Sequence, residues 1–208
     1  MERFKDRWQA GERLAEELRD YQALPGAVVL GLARGGVVTA AAVAKRLRLP
    51  LDVICPRKIS AHNNPEYAIG AVTESGEAIL RNNIGVSESY IAEAIITETA
   101  EARRRLKIYR EGMPPRKLNG KTAILIDDGL ATGSTMCAAI QGVRAEGAHE
   151  VVVAVPVTPP HALGEMYRRA DAVFCVSAPR DFYAVGQFYE SFPQSSDEEV
   201  YEILHQVP

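Results

Sequence analysis

Ala27-Val-Val-Leu-Gly-Leu32 is an unbroken apolar run of strand length. The tight loop Ala33-Arg34-Gly35-Gly36 follows, then a small-residue helical pattern over residues 37–47 and a second apolar run, Pro50-Leu-Asp-Val-Ile-Cys55. A strand without polar alternation is buried on both faces, and strand–loop–helix–strand order is the signature of a parallel crossover unit. The same order recurs downstream. Residues 121–126 are predicted as a strand, 132–146 as a helix capped by Gly147, 151–157 as a strand, 160–169 as a short helix and 172–176 as a strand. This pattern predicts an α/β fold: an open, mainly parallel sheet with helices on both faces.

The remaining segments decorate that frame. Apolar residues at helical spacing (Phe4, Trp8, Leu14, Leu18, Tyr21) predict a helix over 2–22. Residues 56–65 read as irregular, while 67–73 and 77–80 read as a small antiparallel pair turned at Glu74-Ser75-Gly76. Ser87 is placed to cap a long inserted helix reaching about Arg110, with Ile91, Ala94, Ile95, Thr99 and Leu106 on one face. Residues 178–193 form an aromatic loop and 197–205 a last helix. With no repeat and no linker, the expectation is a single domain over 1–208. Within it, 59–115 is a flexible-loop or inserted region and 178–208 a hood and tail.

Composition narrows the partners. A formal net charge of −3 over 208 residues gives no global pull on nucleic acid or an acidic membrane. The basic stretch at residues 103–107 reads as a solvated helical face rather than an RNA contact. Cys55, Cys137 and Cys175 are sparse and unpaired in spacing, as expected of buried thiols in a reducing cytosol. The first twenty residues read as an amphipathic charged segment rather than a signal peptide. No apolar run approaches the roughly 18 residues of a membrane span. A cytoplasmic protein is expected.

The chemistry concentrates in Ala123-Ile-Leu-Ile-Asp-Asp-Gly-Leu-Ala-Thr-Gly-Ser-Thr-Met136. Asp127 and Asp128 leave the carboxyl end of a buried strand, the edge where open α/β sheets bind ligands. The residues from Leu130 to Thr135 then run into a helix N-terminus, an anion site by virtue of its unpaired amides. Gly129 and Gly133 permit close backbone approach, and Thr132, Ser134 and Thr135 add hydroxyls. Acids beside a phosphate cradle are compatible when a hydroxyl-rich spacer lies between, as in a ribose phosphate. The simpler alternative makes Asp127 a helix cap and Asp128 a turn residue, which leaves the hydroxyl run unused. Neither GxxxxGK[ST] nor GxGxxG is present.

AILIDDGLATGST resembles the phosphoribosyl pyrophosphate signature of the type I phosphoribosyltransferases. Leu32-Ala33-Arg34-Gly35-Gly36 resembles that family's pyrophosphate loop, and Pro56-Arg57-Lys58 the basic pair opening its mobile catalytic loop. The resemblance implies a Mg²⁺-dependent nucleotide-salvage enzyme, commonly a homodimer. Such an enzyme transfers the phosphoribosyl group from phosphoribosyl pyrophosphate to a nitrogenous base. It implies that Asp127 and Asp128 hold ribose hydroxyls and, through water, the metal. Ala131, Thr132, Gly133, Ser134 and Thr135 would hold the 5′-phosphate, while Ala33, Arg34, Gly35, Arg57 and Lys58 would meet the pyrophosphate. Catalysis would rest on Asp127, Asp128 and Arg34. Phe182 and Tyr183 are candidates for stacking on the base, and His62 is either a loop acid or a surface histidine. Ala131 stands where the 6-oxopurine branch tends to carry a third acid, so neither hypoxanthine nor guanine is expected as acceptor. The rival function is a regulatory protein that senses phosphoribosyl pyrophosphate.

Overall fold

The structure, a computed structural model, describes residues 3–61, 64–80 and 85–206. Five strands form the main sheet: β1 (Ala27–Leu32), β2 (Leu51–Ile54), β6 (Thr122–Ile126), β7 (Glu150–Val157) and β8 (Ala172–Ser177). Their order is β2-β1-β6-β7-β8, with every pairing parallel. Alternate residues face opposite layers, as the twofold repeat of a strand requires. Val29, Ile124, Ile126 and Val152 pack with Leu14, Leu18, Ala40, Ala41 and Ala44. Val28, Leu30, Leu125 and Val153 pack with Met136, Ile140 and Met166. The first layer holds α1 (Arg7–Glu17), α2 (Gly35–Leu47) and α6 (Asp197–Gln206), and the second holds α4 (Ser134–Ala145) and α5 (Pro160–Tyr167).

A second sheet of three antiparallel strands stands beside the first: β3 (Arg57–Ala61), β4 (Asn64–Val72) and β5 (Ala78–Leu80). The predicted pair is there, turned at Gly76 in the left-handed region. The stretch expected to be irregular supplies the third strand. Its one strongly apolar residue, Ile59, is buried with Ile69 and Val72 under Ile91, Ala94 and Ile95 of α3 (Glu88–Tyr109). That cover comes from thirty residues downstream, so local composition gave no sign of it. Ser87 caps α3 as expected, accepting from the Tyr90 amide at 3.3 Å. Arg116 ties the two sheets together. It pairs with Glu74 and Glu146 and donates to the Val53 carbonyl at 2.6 Å.

The first helix is shorter than predicted, and its buried face differs. Asp6 caps it, accepting from the Gln9 amide at 2.8 Å. Phe4 lies outside it, bridged to Tyr189, and Trp8 is 36% exposed. Arg7, Ala10, Gly11, Leu14 and Ala15 form the buried face instead. The reason is close packing on α2: a Cβ on Gly11 would lie 2.4 Å from the Thr39 carbonyl oxygen. Only small residues fit that seam. Among the described residues no helix is long and apolar enough to cross a membrane.

Candidate functional site

The parallel register brings the carboxyl ends of β2, β1 and β6 to one edge, with Leu32 opposite Ile54 and Gly31 opposite Ile126. Three loops therefore leave side by side: Cys55-Pro56 toward β3, Ala33-Arg34 into α2, and Asp127 through Gly133 into α4. The Ala33–Arg34 peptide is cis. Gly36 passes so near the acids that a Cβ there would sit 2.8 Å from the Ile126 carbonyl oxygen and 2.9 Å from Asp127 Cα. The two loops identified from sequence are in contact.

Asp127 turns its Oδ1 back to accept the Asp128 amide at 2.9 Å. The Leu130 amide bonds to the Val157 carbonyl at 3.0 Å, which pins the acid loop to the next strand. Gly133 then takes a left-handed conformation (φ 75°) as the N-cap of α4. The first-turn amides of such a helix have no intrahelical carbonyl to bond. Ala131 and Thr132 are exposed, Ser134 and Thr135 half-buried. The Thr132 and Ser134 hydroxyls lie 3.1 Å apart. A helix N-terminus with neighbouring hydroxyls thus follows directly on two carboxylates.

Burial pushes the Asp127 carboxyl well above its usual range, and the neighbouring Asp128 charge pushes the same way. Asp128 is also raised by burial, but the Arg7 guanidinium beside it opposes the shift. Arg7 was not a sequence candidate. Its Nε donates to Asp128 Oδ2 at 2.7 Å, with the arginine side chain only 9% exposed. The available signal was positional: residues 7, 11, 14 and 18 recur at helical spacing, which sets Arg7 on the apolar face of α1.

Of the other basic candidates, Arg34 and Arg57 are engaged by acids. The Arg34 Nη1 lies 3.8 Å from Oδ1 of Asp197, at the start of α6. The Tyr109 hydroxyl donates to that same Oδ1 at 2.6 Å. Arg57 pairs with Glu98 of α3 at 2.8 Å, and Lys58 is exposed. Both belong to strand β3, not to an irregular loop. In the basic stretch of α3, Arg103 donates to the Glu74 carbonyl, and Arg104 and Arg105 both bond Glu101.

The aromatic tail packs over the acid loop. A Cβ on Gly129 would come within 2.6 Å of Val185 Cγ1, and the Tyr189 hydroxyl donates to the Asp128 carbonyl at 2.6 Å. Phe182 is half-buried against Phe188, with ring centroids 5.2 Å apart. Tyr183 is 90% exposed and donates its amide to Gln187 Oε1. Phe182 and Tyr183 thus occupy different environments rather than one slot. His62 lies outside the described residues. Cys55 and Cys137 are buried free thiols and Cys175 a partly buried one, each with its pKa raised first by burial.

A chain from two strains of Mycobacterium tuberculosis, provisionally named a phosphoribosyl transferase, is 41% identical over 98% of the present chain. The match covers 47% of those proteins, so the chain spans about half the length of the curated relatives it matches. A crystal structure from Thermus thermophilus is 43% identical, with 99% of each chain covered and a TM-score of 0.84. A Neisseria gonorrhoeae protein shares the fold at 14% identity and a TM-score of 0.50, over 99% of this chain and 98% of its own. The model of the "Phosphoribosyl transferase domain" matches residues 2–192, and the chain belongs to that family.

Proposed function

We propose that the chain is a Mg²⁺-dependent phosphoribosyltransferase, moving the 5-phosphoribosyl group from phosphoribosyl pyrophosphate to a nitrogenous base and releasing pyrophosphate. The observation that supports this most is the junction after Ile126. Two carboxylates and a helix N-terminus share one sheet edge, in contact with the Gly35-Gly36 loop. Membership of the phosphoribosyl transferase domain family supports the same reaction.

In that reaction the bond from the anomeric carbon to a pyrophosphate oxygen breaks, and its electron pair leaves with the pyrophosphate. A nitrogen lone pair of the base forms the new bond, through a transition state with oxocarbenium character. Asp127 and Asp128 accept hydrogen bonds from the ribose hydroxyls. The amides and hydroxyls from Ala131 to Thr135 hold the 5′-phosphate. Ala33, Gly35, Arg34, Arg57 and Lys58 receive the leaving group, with the arginines exchanging Asp197 and Glu98 for phosphate oxygens. The tail around Phe182 and Tyr183 covers the base.

The residues fit a magnesium ion. Among the described residues there is no cluster of three or more ligating side chains. Mg²⁺, however, is commonly held by one or two carboxylates with water and substrate phosphates. Asp127 and Asp128 offer hard oxygen donors; Arg7 pairs with Asp128 only, and the Asp128 charge beside buried Asp127 leaves the two acids short of positive charge. When bound, the ion supplies charge to the pyrophosphate oxygens. Ala131 offers no acid to the incoming base, which supports an acceptor other than a 6-oxopurine.

The test is pyrophosphate release from phosphoribosyl pyrophosphate and Mg²⁺ across a panel of purine and pyrimidine bases. Release that requires both a base and the metal is expected. Measurable donor binding with no release for any base would favour a sensor.

A further inference from the structure

Arg7 makes none of the sugar-phosphate contacts proposed above, yet it touches the acid loop, the C-terminal tail and the Gly35 loop. Its Nε donates to Asp128 Oδ2 at 2.7 Å, and its Nη1 donates to the Pro193 carbonyl in the C-terminal tail at 2.6 Å. The guanidinium carbon lies 3.7 Å from the centroid of the Phe192 ring. Tyr189 holds the backbone of the same acid, donating its hydroxyl to the Asp128 carbonyl at 2.6 Å. On the third side, a Cβ on Gly35 would lie 2.1 Å from Asp128 Oδ2 and 2.8 Å from Arg7 Nε. The ion pair therefore runs against the Arg34-Gly35-Gly36 loop. A guanidinium suits this position because its planar fork aims donors in two fixed directions while its face stacks on a ring. A lysine is a single compact charge that can do only part of this.

We infer that Arg7 is a positioning residue for the sugar site, locking the Asp128 carboxylate and the C-terminal tail into one register so that the acid meets the ribose in a single orientation. This rests on the phosphoribosyl pyrophosphate reading. Arg7 acts through Asp128: with Oδ2 committed to the guanidinium and the backbone carbonyl committed to Tyr189, the carboxylate is oriented before ligand arrives. Its influence falls on the ribose half of the ligand. The 5′-phosphate cradle, built on α4, is independent of it.

The test is calorimetric titration of the full chain with phosphoribosyl pyrophosphate, ribose 5-phosphate and inorganic phosphate. The proteins compared are wild type, Arg7→Lys, Arg7→Met and Tyr189→Phe, each with its melting curve. Both Arg7 variants are expected to weaken ribose 5-phosphate about tenfold and Tyr189→Phe about threefold, with inorganic phosphate unchanged within about twofold. Tyr189→Phe keeps the ring and its packing, so the comparison holds even where an Arg7 variant does not fold. Wild-type affinity for ribose 5-phosphate in Arg7→Lys would leave charge alone as the cause and overturn positioning. Equal losses of ribose 5-phosphate and inorganic phosphate would reduce Arg7 to a general support and overturn it as well. A wild-type chain that binds inorganic phosphate but neither sugar phosphate would overturn the donor reading, and this inference with it.

Discussion

Gly35 and Gly36 are adjacent, but the Cβ atoms they lack would strike different things. At Gly36 the obstruction is backbone, the Ile126 carbonyl and Asp127 Cα, which move only with the sheet. At Gly35 it is the paired side chains of Asp128 and Arg7. Gly36→Ala is therefore expected to cost about 1–3 kcal/mol in folding stability, the usual range for overpacking. Gly35→Ala is expected to melt close to wild type while losing affinity for phosphoribosyl pyrophosphate, because the ion pair yields first. Denaturant melts beside donor titrations check both, and the opposite ordering would refute the assignment. At this scale Asp127, Asp128 and the hydroxyl loop were legible in sequence because they are contiguous. The Arg7 contact was not, since it spans 121 residues. Nor was the Asp197 partner of Arg34, which comes from the far end of the chain.

Among the elements, α6 brings Asp197 to Arg34; Val200 and Leu204 bury it in the core, and a histidine near its end ties it to a residue beyond α3. His205 places Nδ1 2.7 Å from the Tyr201 carbonyl and Nε2 2.8 Å from the Glu111 carbonyl beyond α3. A neutral imidazole has one N–H and can satisfy only one of these acceptors, whereas imidazolium satisfies both. Those two bonds raise its pKa in the folded state. The stabilisation is thus fully present below the unfolded value of about 6.5 and is lost as pH rises through the higher folded value. Hydrogen exchange in α6, corrected for intrinsic rates, is expected to be slower at pH 6 than at pH 8, and His205→Gln to abolish the difference. An unchanged pH dependence in the variant would count against this docking. The strands of the main sheet were readable because Val, Ile and Leu runs buried on both faces leave little ambiguity. Arg57–Ala61 was not readable, because one buried residue, Ile59, holds that strand under a helix thirty residues away.

Over the whole molecule, early and late segments converge on the middle of the chain. The segment before α1 pairs with the tail through the Phe4 amide to the Phe188 carbonyl and the Glu190 amide to the Phe4 carbonyl, each at 2.8 Å. Arg7 and Tyr189 carry that assembly onto Asp128. The fold class could be read from segment order alone, while this convergence required the tertiary structure. The division of labour proposed here, acids on the sugar hydroxyls and the helix N-terminus on the 5′-phosphate, can be measured without knowing the acceptor base. Ribose 5-phosphate and inorganic phosphate are titrated in competition into wild type and into the Asp127→Asn, Asp128→Asn double variant. Wild type is expected to bind the sugar phosphate more tightly than inorganic phosphate, and the double variant to lose that preference while still binding phosphate. A double variant that keeps the wild-type preference for ribose 5-phosphate would contradict the assignment.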